Sequence, residues 1–114
     1  MNNTLEQLLL GNKKYLTECA YTGDITSNRR CDTSLHGQHP KAVVITCSDS
    51  RVVPEIIFNA GIGEIFVIRC AGNVMDDTIL GSIEYAVEHL HSDLVMVLGH
   101  SCCGAVTSTI NSTP

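Results

Sequence analysis

Ala42-Val43-Val44-Ile45-Thr46 is an unbroken, largely β-branched apolar run with no alternation of polar and apolar positions. A strand with one wet face alternates, and a strand covered on both faces does not, so this run reads as a strand buried on both sides of a sheet. Two runs of the same kind follow, Glu64-Ile65-Phe66-Val67-Ile68 and Leu94-Val95-Met96-Val97-Leu98. Between the first two, Pro54 suits the first turn of a helix reaching about Asn59, with Gly61 placed to end it. Between the second two, Asp76 or Asp77 can cap a helix whose Leu80, Ile83, Val87 and Leu90 recur at three and four residues. After the third run, Gly99 leads into Ser101-Cys102-Cys103-Gly104-Ala105-Val106, which reads as a helix start. Strand and helix alternate three times, which predicts an α/β fold with a parallel sheet and right-handed crossovers.

Upstream, Leu5, Leu8, Leu9 and Leu16 fall on one helical face between Asn3 and about Ala20, and Asn3 with Glu6, or Thr4 with Gln7, has capping-box spacing. From Tyr21 to Lys41 the composition turns to Thr, Gly, Asp, Ser, Asn, Arg and His without a period, which reads as a connector with room for one short helix. A single domain over residues 1–114 is expected, with a helical arm and connector at 1–40 and an α/β core at 41–114. The 114 residues carry 7 Lys and Arg against 12 Asp and Glu, a formal charge of −5, with 44% hydrophobic residues. That length excludes two large domains. A negative balance without a basic cluster argues against nucleic acid as the main partner, because phosphate neutralisation needs a basic face. No stretch approaches the roughly 20 apolar residues of a membrane span, and Met1-Asn2-Asn3-Thr4-Leu5-Glu6 lacks the charged start of an export signal, so a cytoplasmic location is expected. The six cysteines are then reduced thiols, metal ligands or small apolar residues rather than disulfide partners.

In an open parallel sheet, ligands bind beyond the carboxyl ends of the strands, where the strand order reverses. Cys47, Asp49 and Arg51 follow the first strand, Arg69 to Asn73 the second, and His100, Cys102 and Cys103 the third. With a strand order of 2-1-3, the reversal brings Cys47 beside His100 and Cys103. Two thiolates and an imidazole form a donor set that suits zinc, and three ligands leave a fourth position, as catalytic zinc requires. Cys102 competes with Cys103, but the i,i+3 spacing from His100 favours Cys103. Asp49 can fill the fourth position or orient a water, and Arg51 can hold its carboxylate in a two-pronged pair. Cys19, Cys31 and Cys70 read as small buried apolar residues. His36, His39, His89 and His91 read as surface or helix-end residues. A phosphatase loop would need Arg where Val53 stands, and Gly61-Ile62-Gly63 precedes a strand instead of following one, so no dinucleotide fingerprint is present.

Cys47-Ser48-Asp49-Ser50-Arg51 followed by Gly99-His100-Ser101-Cys102-Cys103-Gly104 resembles the β-class carbonic anhydrases. The likeness includes Arg69-Cys70-Ala71-Gly72-Asn73 and Ser82-Ile83-Glu84-Tyr85-Ala86-Val87, and runs from near Leu5 to about Thr107. It implies a Rossmann-like three-layer fold and a homodimer, or a dimer-based oligomer, in which N-terminal helices embrace the neighbour. It further implies one zinc per subunit on Cys47, His100 and Cys103, with Asp49 and Arg51 as a catalytic dyad and Asp49 as fourth ligand in some members. The implied reaction is the reversible hydration of carbon dioxide to bicarbonate and a proton by zinc-bound hydroxide.

By the same resemblance, Gln38 reaches across the dimer interface to a substrate oxygen. Phe66, Ala71 and Tyr85 line an apolar substrate pocket, and Gly104 turns a backbone N–H to the site. Relatives that hydrolyse carbon disulfide or carbonyl sulfide on the same zinc site give an enzymatic alternative, and a truncated, weakly active zinc-binding dimer gives another. Cys70 stands where the family usually has Asn. The chain stops at Pro114 where family members continue, so the expectation is a sheet short of one edge strand, with dimerisation covering part of the exposed surface.

Overall fold

The structure, a computed structural model, describes residues 3–18 and 20–112. Cys19 lies outside the described residues. The elements in chain order are α1 (Asn3–Glu18), α2 (Ser27–His36), β1 (Ala42–Cys47), α3 (Pro54–Ile57), β2 (Ile65–Cys70), α4 (Asp77–Glu88), β3 (Leu94–Leu98) and α5 (Gly104–Asn111), with a short 3-10 turn over Ala71–Asn73. The three strands form one sheet in the order β2-β1-β3. Both pairings are parallel, Ala42 to Cys47 lying against Ile65 to Cys70 on one side and Ala42 to Thr46 against Leu94 to Leu98 on the other. This is the predicted α/β architecture with its 2-1-3 order.

All six residues of β1 are buried, and their alternation divides them between two layers. Val43 and Ile45 pack with Ile68, Ile79 and Ala86 under α4. Ala42 and Val44 pack with Leu8 and Phe58 under α1 and α3. Each side of the sheet thus buries alternate residues of one strand, which explains why the sequence of β1 shows no polar period. Thr46, fully buried, stays compatible with that interior because its hydroxyl donates to the Leu98 carbonyl at 2.8 Å, tying the end of β1 to the end of β3.

Capping follows local chemistry. Asp76, rather than Asp77, caps α4, its carboxylate accepting from the Ile79 N–H at 2.9 Å. The connector holds one helix, α2, begun by Thr26, whose hydroxyl accepts from the Arg29 N–H at 3.2 Å. None of its residues is buried. Cys31 on α2 is exposed, against the expectation of a small buried residue, because α2 turns no face to the core. Pro54 opens α3, which ends at Ile57, two residues sooner than expected.

On α1, Leu8 of the stripe read from the sequence is buried beside Thr4 and Leu5 is half-buried, while Leu9 and Leu16 face solvent, so only part of that stripe is the buried face. Gly11 explains the offset. A Cβ there would stand 1.8 Å from the Phe58 carbonyl oxygen, so the helix rests on the core through the row Thr4, Leu8, Gly11. No helix among the described residues is long and apolar enough to cross a membrane.

Candidate metal centre

The carboxyl ends of β1 and β3 converge on Cys47, His100 and Cys103, whose donor atoms all lie within 4.8 Å of one another. Cys47 is the last residue of β1 and is buried. His100 and Cys103 sit on the turn between β3 and α5, with Cys103 at the N-cap of α5. The two sulfurs are 3.9 Å apart. Tetrahedral zinc with Zn–S bonds of ~2.3 Å sets its sulfurs ~3.8 Å apart, so the spacing fits that ion. Cys102 is exposed, with φ at +57°, and takes no part in the cluster.

The imidazole is oriented for the same role. Its Nδ1 donates to the Ser101 carbonyl at 2.9 Å, which puts the free lone pair on Nε2. Nε2 is buried and has no hydrogen-bond partner among the described residues. A buried acceptor without a donor is costly in a folded protein, and a cation would satisfy it.

Cys47 Sγ receives N–H groups from Asp49 at 3.4 Å and Gly72 at 3.3 Å. The adjacent His100, then these two N–H groups, lower the Cys47 thiol to about 6 against the opposing effect of burial. His100 is raised in turn, chiefly by Cys47. Thiolate is the form that binds metal. Gly72 can present its N–H because it adopts φ +75°, the left-handed region that glycine enters without a steric penalty.

Asp49 lies beside the cluster, its Oδ2 3.9 Å from His100 Nε2. Arg51 grips it from two sides, Nε to Oδ1 at 3.0 Å and Nη2 to Oδ2 at 2.7 Å, while the Arg51 backbone N–H reaches Oδ1 at 2.9 Å. These bonds, the side-chain pair first, hold the Asp49 carboxyl well below the usual carboxylate range. The same Nη2 donates to the Cys102 carbonyl at 2.9 Å, so Arg51 links the loop after β1 to the turn after β3. A cleft of about 210 Å³ lined by Cys47, Gly72, Asn73, His100, Cys103 and their neighbours opens over the cluster.

The remaining residues expected at the site divide. Ala71 lines an adjoining apolar groove with Val74, Val106 and Ile110, and Gly104 begins α5 directly after Cys103. Phe66 and Tyr85 pack against each other with tilted rings, their centroids 6.0 Å apart, at the β2 and α4 layer and not among the residues lining the cleft. Gln38 precedes the start of β1, at the end opposite Cys47. One chain therefore does not bring Gln38, Phe66 or Tyr85 to its own cluster.

Two residues of the stretch after the second strand contribute in ways their residue types do not reveal. Gly72 acts through a backbone N–H that no residue type announces. Asn73, at φ +57°, lines the cleft with a buried Oδ1 lacking a partner among the described residues.

A family model described as carbonic anhydrase matches residues 42–114. Over 74 residues the chain is 55% identical to carbonic anhydrase 2 of Mycobacterium tuberculosis strain H37Rv, a match covering 65% of this chain and 36% of that relative. The fold is similar to that of the Coccomyxa β-carbonic anhydrase solved with acetazolamide, at TM-score 0.70 and 34% identity, covering 99% of this chain and 50% of that one. It is also similar to a chain from the two tetrameric β-carbonic anhydrases of Sordaria macrospora, at TM-score 0.69 and 28% identity, covering 99% and 57%. The chain thus spans about a third of the curated relative's length and about half of each solved chain.

Proposed function

The chain belongs to the β class of the carbonic anhydrase family, and from that premise we propose that it catalyses the reversible hydration of carbon dioxide to bicarbonate and a proton, with one zinc ion per subunit on Cys47, His100 and Cys103. The observation that carries this reading is the donor triangle with Asp49 held beside it by Arg51. Zinc, when bound, supplies the Lewis acidity that makes water a nucleophile near neutral pH. The two thiolates balance its charge, and the Ser101 carbonyl keeps the His100 lone pair on Nε2.

Asp49 stays ionised at neutral pH and accepts a hydrogen bond from water at the site, turning a water lone pair toward the carbon of the substrate. Its engagement by Arg51 supports a dyad role for Asp49 over a fourth-ligand role. The substrate is small and carries no net charge, so an open cleft beside an apolar groove suffices to admit it.

We further propose that the working unit is a homodimer or a multiple of one. Gln38, Phe66 and Tyr85 lie away from the chain's own cleft, and Leu9, Leu10 and Leu16 of α1 are exposed, so a second copy covering the arm would supply those residues to a neighbouring site. A tetrameric relative supports an assembled state. The free thiols of Cys31, Cys47, Cys70, Cys102 and Cys103 support work in a reducing compartment such as the cytoplasm.

The test is zinc content followed by stopped-flow carbon dioxide hydration, with Cys103→Ala as control. Near-stoichiometric zinc and hydration above the buffer rate are expected for the unaltered chain, both lost in the variant. Hydration that survives loss of Cys103 would remove the proposed ligand set. Stoichiometric zinc without hydration would reduce the reading to a metal-binding protein.

A further inference from the structure

We propose that Arg69 is a positioning residue for this site, its guanidinium fastening the main chain of the loop that carries Cys47 and Asp49. The inference rests on the reading above for its link to catalysis, and on geometry alone for its link to the loop.

Arg69 Nε donates to the Cys47 carbonyl at 2.9 Å, and its Nη2 donates to the carbonyls of Asp49 at 2.8 Å and Val52 at 2.7 Å. The three acceptors sit before, at and after the point where the chain turns. Arg69 forms no salt bridge with a carboxylate among the described residues, so main-chain carbonyls are the partners of its fork. Two arginines therefore share one aspartate. Arg51 holds the Asp49 carboxylate, and Arg69 holds the Asp49 carbonyl.

Without Arg69 the loop between β1 and α3 retains few main-chain bonds of its own. Ser48 N–H reaches the Cys70 carbonyl at 3.1 Å, and Val52 N–H reaches the Asp49 carbonyl at 3.0 Å. The guanidinium is carried by a strand residue. Arg69 pairs in register with Thr46, and its neighbour Ile68 is anchored in the core under α4, so strand alternation sends the Arg69 side chain to the opposite face, toward the loop and α3. A guanidinium presents five N–H groups in a fixed plane and can span separate carbonyls, whereas a lysine concentrates its donors at one point. Charge alone does not replace it.

The experiment compares Arg69→Ala and Arg69→Lys with the unaltered chain, all loaded with zinc, after far-UV circular dichroism and thermal melting establish folding. Amide hydrogen exchange at residues 48–52 is expected to rise at least about tenfold in Arg69→Ala while residues 43–45 in β1 stay unchanged. Zinc affinity by chelator competition is expected to fall roughly 10- to 100-fold, the range seen when groups that orient a metal ligand are removed. Hydration should fall mainly in kcat, with KM within about threefold. Arg69→Lys should recover little of this, and free guanidinium ion at millimolar concentration should restore part of it to Arg69→Ala. If Arg69→Ala does not fold, Arg69→Lys carries the same exchange and affinity comparison.

Unchanged exchange at 48–52 together with unchanged zinc affinity would overturn the proposal. So would losses that merely track global stability, with β1 exchanging faster in step. If the unaltered chain binds zinc yet hydrates no carbon dioxide, the functional reading fails, while exchange and affinity still decide the role of Arg69.

Discussion

The loop after β1 and the turn after β3 meet at the candidate site, yet they are held by unequal means. Cys47 ends a strand buried along its whole length, its sulfur receives two backbone N–H groups, and the loop beyond it is gripped by Arg51 and Arg69. The turn after β3 leans on less. His100 is held by its neighbour's carbonyl, the Cys102 carbonyl by Arg51, and Leu98 by Thr46 at the strand end. Cys102 sits at φ +57°, a region that costs a non-glycine residue about 1–2 kcal/mol. The orphaned Nε2 and the Cys103 sulfur belong to this less supported half. One half of the triangle is held by many bonds within the chain, and the other keeps donors that a bound cation would satisfy.

That asymmetry can be broken most directly by stripping zinc from the loaded protein. Hydrogen exchange at residues 100–103 is expected to rise by about tenfold or more on chelation, and exchange at residues 48–52 by no more than about threefold. Equal responses would mean that both halves are equally preformed or equally dependent on metal.

A smaller effect sharpens the supported half. Gly72→Ala places a Cβ 3.5 Å from Ala105 Cβ, which is ordinary contact, so its cost is that of holding alanine at φ +75°. A cost of about 1–2 kcal/mol is expected, seen as a lowering of the melting midpoint by ~4–8 °C. A variant that melts unchanged would show that the 3-10 turn relaxes, and that the N–H on Cys47 is not fixed.

The smallest effect concerns the tie between the halves. Folding lowers the Asp49 carboxyl below its unfolded range because Arg51 grips the ionised form. Its contribution to stability is therefore complete above the unfolded value, near pH ~4, and is lost as pH falls toward the folded one. In metal-free protein the melting difference between the unaltered chain and Asp49→Asn should be constant from about pH 5 to 8 and narrow steadily below about pH 4. A difference independent of pH down to about pH 2 would remove Asp49 and Arg51 as the acid-sensitive link.

The same division governs what could be read in advance. The sheet, its order and the convergence of Cys47, His100 and Cys103 were legible because β-branched runs and strand ends carry their meaning in residue type and spacing. The apolar run of β2 ends at Ile68, but the strand continues to Cys70, since Arg69 and Cys70 look like loop residues until Thr46 and Cys47 pair with them. The leucine stripe of α1 finds the buried face only at Leu8 and partly at Leu5, because the leucines mark it less than one glycine does, Gly11 admitting the Phe58 carbonyl. The stretch Arg69 to Asn73 is placed at the site end of β2 by the sequence, but what Gly72, Asn73 and Arg69 do there is not legible, because each acts through a backbone conformation or a side-chain direction fixed only by tertiary structure.

The alternation of β1 between two buried layers makes the strand a ruler. Val43 and Ile45 fill one layer, Ala42 and Val44 the other, so a slip of one residue would exchange every side chain between layers. It would also carry the Cys47 sulfur about 3.3 Å along the strand and to the opposite face. Insertions and deletions are thus graded by location. Residues 20–26 and 37–39 lie outside regular helix and strand and ahead of the ladder that Lys41 begins, so a change of length there is expected to leave the donor triangle intact. A single added residue between Ala42 and Cys47 dismantles it.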